Sequence, residues 1–391
     1  MKRLGNIFFI GVITLVLVAG FFRTLFFPKE INTYENRYSN KISKLTLTSF
    51  LNSDFQNSIE AALSDQIIGA QSLKKTYNET IASAANIFIS PMLESNSSTY
   101  IQYKNGGLFF GGYYVYKTRP LENEKLSLET KAANCNLTFE KYPNLDFYVY
   151  YIEKDTDINF ETGENIELDE YLFSLLNLDN NQKRTFEINN FNEFSDFFYK
   201  TDHHWNHKGS YKAYLDILDF LGCEDEPIKN EEEVIISKTF MGSKANSVGS
   251  NILKETFYAY KFNFPNFESI NGNKDGDYGT QIQSIAAASK AEIETSYGNF
   301  YGGDDGEIVF STGKTERDNI LIIGESYDNA ILKLLATHFN NTYSVDLRNY
   351  EHLKGAKFNF DEFIEQNKIE KVLLIGNIDF YLLDTFNLEA Y

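Results

Sequence analysis

The passage Asn319-Ile320-Leu321-Ile322-Ile323-Gly324-Glu325-Ser326-Tyr327 decides how this chain is read. Its aliphatic run has no polar alternation, the mark of a strand covered on both faces, as in a parallel sheet. Working outward, the apolar spacing predicts a helix over 327–339, a strand over 342–347, a helix over 360–367 and an apolar strand over 371–375. This β-α-β-α-β order is that of an α/β fold with a parallel sheet flanked by helices. Sites in such sheets form beyond the carboxyl ends of the strands, where Ser326, Arg348 and Asn377 fall. Ser326 follows the strand directly and opens a helix, where unpaired backbone N–H groups can stabilise an oxyanion. Serine is also a favoured helix N-cap, so the turn alone supports both a nucleophile and a cap.

Upstream, the densest polar cluster is Thr201-Asp202-His203-His204-Trp205, ahead of a helical pattern over 209–220. In an extended loop Asp202 and His204 project to one side, so the carboxylate can orient the imidazole as base for a hydroxyl, while His203 points away. A structural Asp–His pair, or a zinc site built from His203, His204 and His207, fits the same residues. No HExxH or cysteine pattern supports the metal, and none is expected. Cys135 and Cys223, the only cysteines, form no metal or redox motif, and their spacing leaves pairing open.

The amino terminus reads as a membrane segment: Lys2-Arg3 precede an apolar stretch over 7–22, with Arg23 and a second patch to Phe27. Residues 7–27 approach the ~20 needed to span a bilayer, and the leading basic residues place the body outside the cytoplasm. The expectation is a single-anchor cell-membrane protein with an extracytoplasmic body, or a secreted one if the segment is cleaved. Residues 28–95 read as a helical stalk or cap. Residues 96–391 form the main domain, with a β- and loop-rich insertion at about 224–318. A chain of 391 residues with 42% hydrophobic content can bury a full core. A formal charge of −19 excludes nucleic acid as a partner, since it repels a phosphate backbone.

Taken together, these residues resemble the DHHW family, named for the tetrad that stands here as Asp202-His203-His204-Trp205. The likeness continues through Gly209 and Tyr211, includes Glu35-Asn36-Arg37, and returns in Phe300-Tyr301-Gly302-Gly303, in Gly324-Glu325-Ser326-Tyr327 and in Asp346-Leu347-Arg348. That family is similar to the SGNH-like alginate O-acetylation proteins. The resemblance implies an SGNH-like catalytic domain in which Asp202 orients His204, His204 activates Ser326, and an acyl group rests on Ser326. It implies oxyanion or substrate contacts from Gly303, Asn377, Arg348 and Trp205, with no cofactor. The expected activity is serine O-acetyl transfer or acetyl-ester hydrolysis on an exported or cell-envelope polysaccharide. The acetyl donor would arrive by way of a membrane-bound O-acyltransferase. A non-catalytic glycan-binding or scaffold component is the alternative. One position departs from the usual Gly-Asp-Ser of the nucleophile turn, where Glu325 replaces the Asp.

Overall fold

The computed structural model describes residues 9–11, 13–15, 18, 19, 22, 26, 31, 32, 37–66, 76, 80, 98–102, 107–248, 253–265, 268–271, 274, 275, 296–302, 305–383 and 388. The chain divides into two compact units, Met1–Pro91 with Ala245–Ile252, and Met92–Lys244 with Leu253–Tyr391. In the first unit, helices Leu47–Leu51 and Asp54–Gln66 follow the helical spacing of Phe50, Phe55 and Ile59. Thr46 and Ser49 form a reciprocal capping box that fixes where the first helix starts.

The second unit is organised by an eight-stranded sheet. In chain order its strands are Asp146–Ile152 (β1), Lys183–Phe186 (β2), Glu268–Asn271 (β3), Lys274–Asp275 (β4), Glu307–Ser311 (β5), Ile320–Ile323 (β6), Asn341–Val345 (β7) and Lys371–Gly376 (β8). Across the sheet the order is β4-β3-β5-β7-β6-β8-β1-β2. The strands from β7 to β2 are all parallel. Strand β6 is central, so the strand that presents Ser326 has neighbours on both sides.

Side chains alternate between two cores, as a period of two requires. Ile320 and Ile322 of β6 join Leu373 and Ile375 of β8 on one face. Leu321 and Ile323 join Val372 and Leu374 on the other. Complete burial of each such side chain contributes roughly 1.5–3 kcal/mol, which explains why these strands show no polar alternation. Cys135 lies in one of these cores and Cys223 packs against the other, and both are free thiols.

Two expectations are corrected here. The sheet is mixed rather than parallel, because β5, β3 and β4 add to its edge antiparallel. These strands come from the stretch between His204 and Ser326, where short strand signals sit among Asn, Gly and charged residues that carry no helical crossover pattern. The expected membrane anchor over residues 7–27 is not found either. Among the described residues no helix is long and apolar enough to cross a membrane. Residues 9–11, 13–15, 18, 19, 22 and 26 are helical, and the rest of that segment lies outside the described residues. A span needs ~20 residues of continuous apolar helix, so the cell-membrane localisation drawn from that segment loses its support.

The helix expected over 327–339 is broken. A 3-10 turn over Asp328–Ala330 precedes a short helix, Leu332–Ala336. Gly324 explains part of this tight exit from β6, because a Cβ there would lie 2.3 Å from Asp328 Oδ2. The chain can fold back on itself only without a side chain at that point.

Candidate active site

Beyond the carboxyl ends of the parallel strands, two separate loops bring their polar groups together. The first runs between helices Phe191–Phe197 and His207–Phe220. It is pinched at its base by a β-bridge between Phe198 and Trp205, and closed by Asn206, whose Oδ1 caps the next helix by accepting from the N–H groups of Lys208 and Gly209. The second is the Gly324-Glu325-Ser326 turn after β6.

Asp202, His204 and Ser326 form one chain of hydrogen bonds, in which His204 and Ser326 are 122 residues apart in sequence. Asp202 Oδ1 lies 2.5 Å from His204 Nδ1, and His204 Nε2 lies 2.7 Å from Ser326 Oγ. An ionised carboxylate only accepts, so Nδ1 carries the proton, leaving Nε2 as the acceptor of the Ser326 hydroxyl proton. Burial by itself would raise the Asp202 carboxyl. The His204 ring beside it, then His203 and the Ser243 N–H, outweigh burial and hold it far below the usual carboxylate range. Ser243 N–H donates to Asp202 Oδ2 at 2.8 Å. The neighbouring Gly242 makes that approach possible, since a Cβ on it would meet Asp202 Cβ at 2.3 Å.

The imidazole is held on its faces as well as its edges. Tyr297 stacks parallel on His204 with ring centroids 3.7 Å apart. Tyr327 lies tilted at 5.0 Å, and its hydroxyl donates to the His203 carbonyl. His203 does not point away as an extended loop would have it. The loop is a series of bends, so alternation fails, and the His203 ring stands 3.8 Å from His204 with Nδ1 2.5 Å from Ser243 Oγ. Burial and the neighbouring His204 keep His203 neutral, well below its ordinary pKa. Asp202, His203 and His204 offer ligand atoms within 4.8 Å of one another. A cation there would take His204 away from Asp202 or from Ser326. His207, the third histidine of the zinc alternative, bonds Glu233 instead, at 2.7 Å.

The four residues expected around the nucleophile are placed differently. Trp205 is fully buried and packs edge-on against Phe186 and Tyr327, as part of the core. Asn377 donates through Nδ2 to Glu325 Oε1 at 2.6 Å, while its Oδ1 accepts from Asp379 N–H at 2.8 Å. Arg348 is bidentate on Asp346, at 2.9 Å to Oδ1 and 2.6 Å to Oδ2. Its other terminal nitrogen stands 3.8 Å from Glu325. Gly303 lies outside the described residues. Glu325, the departure in the turn, is buried, and burial raises its carboxyl against the opposing pull of Arg348 and Lys154. The longer side chain is what reaches Asn377 and ties the nucleophile turn to the end of β8.

A second buried ionic cluster follows β1 in Glu153-Lys154-Asp155-Thr156-Asp157. Lys154 Nζ meets Asp379 Oδ2 at 2.6 Å, and Asp155 Oδ2 meets Lys244 Nζ at 2.5 Å. Burial lowers the Lys154 ammonium, but Asp379 and Asp155 more than offset it. For Lys244 burial prevails and its pKa falls. Neither lysine was singled out by sequence. The signal was an apolar strand running straight into five polar residues. Tyr297 and Ser243 were missed too, although Tyr297 sits in the turn of chain that leads into Phe300-Tyr301-Gly302.

The chain has likenesses among known proteins. Residues 154–345 match the family described as DHHW protein. The chain is similar in structure to Bacillus cereus PatB1, solved with a sulfonyl adduct, at 20% identity and a TM-score of 0.54, covering 74% of this chain and 99% of that one. It is also similar to a DHHW family protein from Eubacterium siraeum at 16% identity and a TM-score of 0.55, covering 73% and 95%. A fainter likeness, with a TM-score of 0.38 at 12% identity over 72% and 91%, is to the O-acetyltransferase domain of Pseudomonas putida AlgJ. Among curated proteins, none matches this sequence.

Proposed function

We propose, from the premise that the chain belongs to the DHHW family, that it is a serine O-acetyltransferase or acetylesterase acting on polysaccharide hydroxyls through an acyl-Ser326 intermediate. The observation that carries this reading is the unbroken relay from Asp202 through His204 to Ser326 Oγ, at 2.5 Å and 2.7 Å. In the first half-reaction Ser326 Oγ attacks the acetyl carbonyl as its proton passes to His204 Nε2. The oxyanion would be stabilised by backbone N–H groups of the turn after β6, that of Ser326 among them. The proton then moves from Nε2 to the departing oxygen, and acetyl remains on Oγ. In the second half an acceptor hydroxyl gives its proton to Nε2 and attacks the acyl carbon, and the same proton returns to Ser326. Water as the acceptor makes the enzyme an esterase, and a sugar hydroxyl makes it a transferase. The acetyl donor would be supplied by a partner acyltransferase.

The sulfonyl adduct reported for PatB1 is the kind of product that a sulfonyl electrophile leaves on an activated nucleophile, and it suggests the test here. Phenylmethanesulfonyl fluoride incubated with the full chain is expected to leave one sulfonate ester, located on Ser326 by peptide mass, and to leave none on a His204→Ala variant. Labelling at another residue, or equal labelling of the variant, would overturn the assignment.

A further inference from the structure

The bends at residues 200–204, which carry Asp202 and His204, belong to no helix or strand, so contacts from outside must fix the geometry of the relay. One carboxylate supplies three of them: Glu255, the first residue of the strand Glu255–Phe262. Its Oε2 accepts from the Lys200 N–H at 3.0 Å, and its Oε1 accepts from the Thr201 N–H at 2.8 Å and the Thr201 hydroxyl at 2.7 Å. With its proton given to Glu255, the buried Thr201 hydroxyl accepts from the Gly242 N–H at 3.0 Å. The next N–H along, that of Ser243, reaches Asp202 Oδ2 at 2.8 Å. Two consecutive residues of the base loop are thus bonded to two consecutive residues of another segment, and Glu255 holds the first of those bonds in place.

The hairpin that delivers Glu255 also rests on the loop through apolar contact. Its strands, Asn230–Phe240 and Glu255–Phe262, pair antiparallel with Phe240 opposite Glu255. Tyr199, just ahead of the bends, stacks on Phe257 with ring centroids 5.2 Å apart and meets Phe240 at the same separation. Tyr297, whose ring covers His204, belongs to the same small core. On the other side, the Lys200 carbonyl accepts from the Tyr114 N–H at 2.9 Å, so the Lys200 backbone is held through both of its polar groups. Burial raises the Glu255 carboxyl, and the donors from Lys200 and Thr201 oppose that rise. All three of those groups donate, the arrangement that an ionised carboxylate takes.

We infer that Glu255 and Thr201 are positioning residues: the carboxylate sets the Thr201 hydroxyl, the hydroxyl sets the Gly242–Ser243 segment, and that segment sets Asp202 against His204. As an effect on turnover this rests on the acyl-serine reading, whereas as a constraint on the Asp202–His204 pair it does not. The test reads ester kinetics and the His204 Nδ1 proton of the full chain in parallel. A proton in a short N–H···O⁻ bond resonates far downfield in proton NMR, and its loss in Asp202→Asn identifies it. Thr201→Val has nearly the same shape without the hydroxyl. It should lower kcat per folded molecule by about 10–100-fold with KM within about twofold, the scale of a slightly misplaced catalytic group, and should shift or broaden the downfield proton. Thr201→Ser, which keeps the hydroxyl, should recover most of that loss. Glu255→Gln keeps an acceptor for Thr201 and loses the one for Lys200, so it should fall between wild type and Thr201→Val, which checks the inference even if the valine variant fails to fold. A lower urea midpoint with kcat per folded molecule and the downfield proton as in wild type would overturn it, as would equal losses in Thr201→Ser and Thr201→Val. A downfield proton that follows Thr201 and Glu255 as predicted, in a chain whose Ser326→Ala variant still turns over, would instead sink the acyl-serine reading and leave the positioning role standing.

Discussion

Two buried ionic clusters lie beyond the ends of the central strands, within electrostatic reach of one another, and they are built differently. In Asp202–His204–Ser326 the charge sits at one end, and each proton has a neighbouring acceptor in line, ending on a hydroxyl that borders the surface at 9% exposure. In the group of Lys154, Asp155, Lys244 and Asp379 each ammonium is matched directly by a carboxylate at 2.5–2.6 Å, and no hydroxyl ends the series. Both clusters cost desolvation, but only the first is arranged to move a proton. Burial of charge therefore does not by itself point to chemistry, whereas an ordered series of donors ending on a hydroxyl is the arrangement that the proposed reaction needs.

The comparison breaks first at the carboxylates. Asp202→Asn replaces an acceptor with an amide that can donate to Nδ1, which favours the wrong imidazole tautomer. Turnover of a chromogenic acetyl ester per folded molecule is expected to fall by ~10³–10⁴-fold, and the urea midpoint falls as well, because the ionised Asp202 carboxylate also contributes stability. The other cluster separates the two effects. Lys244→Met leaves the fully buried Asp155 carboxylate without its cation, and should cost roughly 3–5 kcal/mol in urea unfolding, with turnover per folded molecule within a few-fold of wild type.

A smaller effect concerns pH. Burial pushes the Glu153 carboxyl up to about 7 and the Asp157 carboxyl up to about 6. In the window between their unfolded values near 4 and these folded values, the native state binds more protons than the unfolded chain. These two groups therefore lower stability as pH rises through that window, by at most about 1.4 kcal/mol per pH unit for each. Asp202 acts with the opposite sign. Its depressed pKa gives stability that is present above about pH 4 and lost as pH falls further. Urea midpoints measured from pH 4 to 8 should show a decline that Asp157→Asn makes shallower. The smallest expected effect is none: reductant should leave the melting temperature unchanged, because Cys135 and Cys223 are free thiols associated with opposite faces of the sheet.

What was legible in the sequence follows the same division. The apolar runs of β6 and β8 fixed both strands to within two residues, because a strand covered on both faces must be aliphatic throughout. The antiparallel edge was not legible, since β3 and β4 are short and carry no such requirement. Ser326 could be picked out because strand-end position and residue type coincide, and Asp202 and His204 because they stand two apart in the densest polar cluster of the chain. Their neighbours could not. Arg348 and Asn377 also stand at strand ends, yet their polar groups are directed to Asp346 and Glu325. Trp205 belongs to the same tetrad as His204, and its size took it into the core. Lys154, Lys244 and Tyr297 act through long-range contacts that no local pattern records.

The measurement that tests the central claim most directly is acetyl-ester turnover by the full chain beside Ser326→Ala and His204→Ala, with intact mass read after rapid acid quenching. A wild type that turns over and carries one acetyl group on Ser326, with a matched loss of about 10³-fold or more in both variants, is the predicted result. Turnover that persists in Ser326→Ala, or an acetyl group found on any other residue, would contradict it.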